Sequence, residues 1–201
     1  RGIYHISDEA YEYFLYEGET HFSPGSLPGS KDHTFSLFSL SKAYGFASWR
    51  IGYMVMPPAL MPSIKKIQDT NLICAPVISQ FAAIKSLHYG KSYCTQHLTS
   101  MSSVRRQILE GLQSLHPFIR IIPSKGAFYV LIELDLDEPP LDVVETLIRN
   151  HRIAVIPGNA FGLDRGCFLR IAFGALKEDN ANEALERLLN GLKHIRDHGL
   201  Q

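Results

Sequence analysis

Lys42 is the residue whose surroundings point most directly to chemistry. It closes the segment Ser39-Leu40-Ser41-Lys42, at the end of an apolar run from Thr34 to Leu40, and Ala43-Tyr44-Gly45 follow it. Such a run reads as a buried strand, and open α/β sheets bind ligands just beyond the carboxyl ends of their strands. An amine held there can do chemistry, although a lysine after a strand is also an ordinary solvated residue. Arg50 stands eight positions further on, between Trp49 and Ile51. A guanidinium among apolar neighbours calls for an anion, and a phosphate suits its planar fork.

Asp8 and Tyr11 end the first apolar run, in Ser7-Asp8-Glu9-Ala10-Tyr11. With that strand parallel to the next, Asp8 shares a rim with Lys42; taken alone, Asp8 reads as a helix N-cap. Arg170 lies inside the otherwise apolar Phe168-Leu169-Arg170-Ile171-Ala172. Its alternatives are a ligand-binding group and a structural ion pair. Cys94 and His97 have a spacing that could share a metal, but no second pair stands nearby, and two helix-surface residues are the expectation. No metal site is expected.

The elements that must hold these residues follow from periodicity. Arg1-Gly2 leads straight into Ile3-Tyr4-His5-Ile6, which reads as a buried strand with neighbours on both sides, so the chain is expected to begin inside a fold. Strands are expected at Thr34 to Leu40 and Ile51 to Met56. Helical spacing then takes over, with Leu60, Ile64 and Ile67 on one face, next Ile78, Phe81 and Ala82, and then a long helix carrying Met101, Val104, Ile108, Leu112 and Leu115. Arg105, Arg106 and Glu110 fall on that helix's solvated side. After Pro117 the period becomes two, with Phe128, Val130, Ile132 and Leu134 on one face of a strand. A helix with Leu141, Val144, Leu147 and Ile148 follows, then strands at Ile153 to Ile156 and Phe168 to Phe173. A last helix uses Ala181, Ala184, Leu185, Leu188 and Leu192. The reading is α/β: part of one domain in residues 1–57, connecting helices in 58–115, and a small α/β domain in 116–201.

Composition narrows the function classes. Twenty basic residues balance twenty acidic ones, so no whole-molecule field favours nucleic acid or an anionic membrane. No apolar run approaches the roughly 20 residues that span a bilayer. Cys74, Cys94 and Cys167 are an odd count without paired spacing, which argues against a disulfide framework and for a reducing cytoplasm.

Five segments together carry a family resemblance. Ser39-Leu40-Ser41-Lys42, Gly45-Phe46 and Trp49-Arg50-Ile51-Gly52-Tyr53 resemble the lysine motif of the class I and II aminotransferases of fold type I. Ser7-Asp8-Glu9-Ala10-Tyr11 is similar to the family's Asp-Glu-x-Tyr segment. Lys125-Gly126-Ala127-Phe128-Tyr129, then Val155-Ile156-Pro157-Gly158 with Phe161-Gly162, and Leu169-Arg170-Ile171 follow in the family's order.

The resemblance implies the C-terminal half of a fold type I transferase that uses pyridoxal 5'-phosphate: a remnant of the large-domain sheet plus the small α/β domain. It implies that Lys42 forms the Schiff base with the cofactor and shuttles a proton, that Asp8 pairs with the pyridinium nitrogen, and that Tyr11 donates to the phenolic oxygen. Ser39 and Arg50 would hold the phosphate, and Arg170 the substrate α-carboxylate. The implied activity is amino transfer between an L-amino acid and a 2-oxo acid, in a homodimer. A lyase or synthase of the same fold, or the sensor domain of a transcriptional regulator, are the alternatives. The family most often has glycine where Ser48 stands, which matters if φ is positive there. The family's phosphate loop, its ring-stacking aromatic and its asparagine are expected before Arg1, so this chain alone is expected to be inactive.

Overall fold

A computed structural model describes residues 2–200, apart from the side chains of residues 178 and 179. Residues through Gln96 form one compact unit and those from His97 a second.

The first unit is built on a three-stranded sheet in the order β1 (His5–Asp8), β2 (Thr34–Ser39), β3 (Gly52–Val55). β1 is parallel to β2, with Asp8 opposite Leu37, and β3 is antiparallel to β2, with Gly52 opposite Ser39. Gly52 is required by this pairing, because a Cβ there would lie 2.6 Å from the carbonyl oxygen of Phe38. The first strand departs from expectation. It starts two residues later, lies at the sheet edge, and is largely exposed, with Ile6 at 66 %.

The short helix α1 (Leu40–Ala43) follows β2 directly, and α2 (Met61–Asn71) and α3 (Val77–Tyr89) follow β3. Both longer helices have the expected period, but their apolar faces are turned outward. No residue of α2 is buried, and in α3 the buried positions are Ser79 and Ala83, while Ile78 and Phe81 are exposed. α4 (Lys91–Gln113) starts well before Met101, the first of the apolar positions expected on it. Its first turns bury Cys94, whose thiol donates to the carbonyl oxygen of Ala43 at 3.1 Å, so Cys94 is a core residue and not a surface one.

The second unit holds an antiparallel sheet in the order β4, β5, β7, β6, formed by Ile119–Ile122, Tyr129–Leu134, Cys167–Ala172 and Ile156–Pro157. β4 has no counterpart among the sequence expectations. β6 is two residues long, because the chain leaves α5 (Pro140–His151) through Arg152 at φ 53° and pairs only from Ile156. Strand alternation divides the sheet cleanly. Val130, Ile132, Leu134, Cys167, Leu169 and Ile171 are buried, and α5 and α6 (Glu178–His198) supply Val143, Leu147, Leu188 and Leu192 to the same core. The opposite face carries Tyr129, Leu131, Glu133, Phe168 and Arg170, all half-buried.

Candidate active site

The register of the first sheet brings four of the singled-out residues to one rim. Asp8 ends β1, Ser39 ends β2, and Lys42 lies in the turn of helix after it. Arg50 precedes β3, whose antiparallel start faces Ser39. Tyr11 follows Asp8 in the next turn, half-buried, with its ring edge-on to Phe14 at 6.1 Å.

Buried anchors surround the exposed lysine. Leu40, Ala43 and Tyr44 form a buried cluster with Ala83 and Cys94, against which Tyr13, Phe46, Ile51 and Tyr93 pack. Tyr44 and Tyr93 stack at 5.9 Å. Two side-chain bonds fasten the loop to the helices: Cys94 to Ala43, and the Ser79 hydroxyl to the carbonyl oxygen of Trp49 at 2.9 Å. With its neighbours fixed, Lys42 extends into solvent, and its amine makes no hydrogen bond or ion pair among the described residues. Ser39 caps α1, its hydroxyl oxygen accepting from the Ser41 amide at 3.2 Å. The hydroxyl proton remains available to donate.

Arg50 is exposed rather than enclosed by apolar neighbours. Its Nη1 donates to the carbonyl oxygen of Ala47 at 2.8 Å, and its backbone takes the left-handed conformation at φ 50°. Ser48 lies within a 3-10 turn, Ala47–Trp49, and is not among the residues with positive φ. The glycine usual at that point of the family is therefore not needed for backbone freedom. Asp8 accepts the Ala10 amide on Oδ1 at 3.2 Å, so the capping expectation holds for one oxygen, although no helix follows. Oδ2 makes no hydrogen bond among the described residues.

What fixes Asp8 has no signature in the residue pattern. The next residue, Glu9, is only 3 % exposed. Its carboxylate accepts from the Ser23 hydroxyl at 2.9 Å and pairs with Nε2 of His21 at 2.7 Å. Burial raises the pKa of this carboxyl, but hydrogen bonds from His21, Ser36 and Ser23 outweigh it and hold the group below the usual glutamate range. A depressed folded pKa stabilises the fold above the unfolded value of about 4.3, and that contribution disappears as pH falls through the folded pKa. Glu9→Gln in the full-length protein is expected to cost roughly 2–3 kcal/mol at neutral pH. Denaturant melts should show the gap to wild type narrowing in acid. A gap that does not change with pH would mean that the ionised carboxylate is not what stabilises this corner.

Arg170 belongs to the second unit. It lies on β7, opposite Leu131 of β5 and Ile156 of β6. No carboxylate pairs with it among the described residues, so the ion-pair alternative has no partner. Its guanidinium carbon sits 4.3 Å from the ring centre of Tyr129 and 3.9 Å from that of Phe161, and its Nε is buried without a hydrogen-bond partner among the described residues. Among the described residues, no group of three or more His, Cys, Asp or Glu is arranged to hold a metal ion, and no helix is long and apolar enough to cross a membrane.

A mixed sheet with a lysine at its carboxyl rim, joined in sequence to a small antiparallel α/β unit, is the architecture of half a fold type I transferase, and the comparisons agree. Residues 1–188 match the family described as aminotransferase class I and II, and the chain belongs to that family. It is 34 % identical over 203 residues to the aromatic aminotransferase ISS1 of Arabidopsis thaliana, covering 99 % of this chain and 50 % of that protein. It is 29 % identical to an aspartate aminotransferase of Pyrococcus abyssi, covering 91 % of this chain and 47 % of the relative. Among solved structures, the aromatic aminotransferase of Pyrococcus horikoshii superposes with a TM-score of 0.86 at 27 % identity, over 98 % of this chain and 52 % of that one. The chain spans about half the length of the relatives it matches.

Proposed function

We propose that the complete protein is an aminotransferase that uses pyridoxal 5'-phosphate to move an amino group between an L-amino acid and a 2-oxo acid. The observation that carries this reading is the rim itself, where an unpaired amine, a carboxylate with one unused oxygen, a hydroxyl and a guanidinium come together. That donor set fits the cofactor: the amine suits its aldehyde, the carboxylate its ring nitrogen, and the hydroxyl and guanidinium its phosphate. When bound, the cofactor supplies an electron sink for the bond to the substrate's α-carbon.

The residues of this chain would then divide the work. Lys42 holds the cofactor covalently and, once released, carries the proton at the substrate's Cα. Asp8 keeps the ring nitrogen protonated through Oδ2, while Glu9 holds the backbone beside it. Tyr11 donates to the phenolic oxygen, Ser39 and Arg50 bind the phosphate, and Arg170 binds the substrate carboxylate. We assign residues 1–57 to the large domain, 58–115 to connecting helices and 116–201 to the small domain. A homodimer is part of the same reading, as is a cytoplasmic setting for the three free cysteines. The uncovered apolar residues of α2 and α3, Ile78 and Phe81 among them, suit burial in a larger assembly.

The test is direct. Borohydride reduction of the full-length protein loaded with pyridoxal phosphate, followed by peptide mapping, is expected to leave the label on Lys42. A label on Lys31 or Lys65 would overturn the assignment. Because the relatives' names divide between aromatic amino acids and aspartate, the companion assay uses both as donors with a 2-oxo acid acceptor. Correct labelling without amino transfer to any acceptor would exclude the aminotransferase reading and leave the lyase, synthase and sensor alternatives.

A further inference from the structure

We propose that Phe161 and Tyr129 are positioning residues that hold the Arg170 guanidinium flat in an aromatic slot, so that a substrate carboxylate meets it edge-on. The inference rests on reading Arg170 as the carboxylate-binding group.

The slot is built from three local features of the second unit. Tyr129 lies two residues before Leu131 on β5, and Leu131 is the register partner of Arg170, so both side chains emerge on the same face. Phe161 ends the 3-10 turn Gly158–Phe161, which follows β6 directly. Gly158 lets that turn lie against β7, since a Cβ there would come within 2.5 Å of the Cβ of Phe168. Gly162, at φ 80°, then ends the turn in the left-handed conformation. The turn thus projects Phe161 over the guanidinium rather than into the core.

The distances fit a cation held between two ring faces, 3.9 Å from one ring centre and 4.3 Å from the other. A positive charge over an aromatic face is attracted by the ring quadrupole. Phe161 remains 47 % exposed, so its contact with Arg170 is not a by-product of core burial. In the proposed slot one ring covers each face, which leaves the approach to the guanidinium open in its own plane, the direction in which a carboxylate pairs bidentately. The buried Nε, which has no partner among the described residues, is one of the donors such a pairing can use. Among the described residues, no carboxylate competes for the charge. A fork fixed before the ligand arrives needs no reorganisation when it binds.

Apolar bulk and an aromatic face can be separated by substitution. In the full-length protein, Phe161→Leu and Tyr129→Leu keep apolar volume but remove the ring, whereas Phe161→Tyr and Tyr129→Phe keep a ring. Two readouts are used: KM and kcat for an amino-acid donor, and the Kd of 3-phenylpropanoate and succinate by calorimetry. The leucine variants are expected to raise KM and both Kd values by about 10- to 100-fold, with the effect on kcat much smaller. The ring-retaining variants should stay near wild type. Arg170→Lys is the reference. If Arg170→Lys weakens carboxylate binding and the leucine variants do not, the slot is mere packing and the inference falls alone. If Arg170→Lys also leaves both Kd values unchanged, the reading of Arg170 as the carboxylate group has failed, and the slot falls with it.

Discussion

Lys42→Ala in the full-length protein is expected to reduce amino transfer by about 10⁴-fold or more, because one side chain is asked for two separate acts. The methyl group can neither hold the cofactor covalently nor carry a proton at the substrate's α-carbon. Lys31, the preceding lysine in the chain, cannot substitute. Lys31 precedes β2 and so lies at the opposite end of that strand from the rim. Stability of the cofactor-free protein should be almost untouched, within about 0.5 kcal/mol, since Lys42 is exposed and makes no hydrogen bond or ion pair among the described residues. The measurement pairs a thermal melt of the cofactor-free protein with amino-transfer rates of the loaded one. Unchanged melting with abolished transfer is the expected signature. Near-normal turnover would remove Lys42 from the reaction, and a collapsed melting curve would make it a structural residue.

The rim was legible in the sequence because a few local rules fix it. An apolar run ending at Leu40 sets the position of Lys42, and a parallel partner for that run is the single condition that brings Asp8 to the same edge. The pairing of Asp8 with Leu37 meets it. The antiparallel return of β3 adds Arg50, which periodicity alone could not have placed. Glu9 was not legible as an anchor, since its partners His21 and Ser23 lie 12 and 14 residues away in a segment without any period. The aromatic slot was hidden in a similar way. Phe161 and Tyr129 stood in quoted motifs, but only the turn against β7 brings the first of them over Arg170.

Burial was the hardest property to read. The helical periods of α2 and α3 were correct, yet a period says which residues share a face and not which face turns inward. In α3 the inward positions are Ser79, bonded to Trp49, and the small Ala83, while the large apolar residues face out. β1 makes the same point for strands. Its composition suited a strand covered on both sides, but it forms the exposed edge of its sheet in this chain, which spans about half the length of its relatives.

Arg170→Lys is the other substitution with a large expected effect, and it separates a substrate-binding arginine from a structural one. A structural arginine inside a strand needs an anion, and its replacement costs stability because the buried partner is left unpaired. Arg170 has no such partner among the described residues; it has two ring faces and a buried, unpaired Nε. Lysine would keep the charge but lose both the planar fork and the in-plane pairing that a carboxylate requires. The expected loss in kcat/KM for amino acids is about 10²- to 10³-fold, the scale on which removing one partner of a charged hydrogen-bonded pair acts. The melting transition should shift only by what two cation–ring contacts supply, about 1–2 kcal/mol in all. A primary amine without the α-carboxylate serves as the control, because it never used the fork and should react at a nearly unchanged rate. Equal losses for amine and amino acid, together with a large drop in stability, would move Arg170 from the binding site to the core.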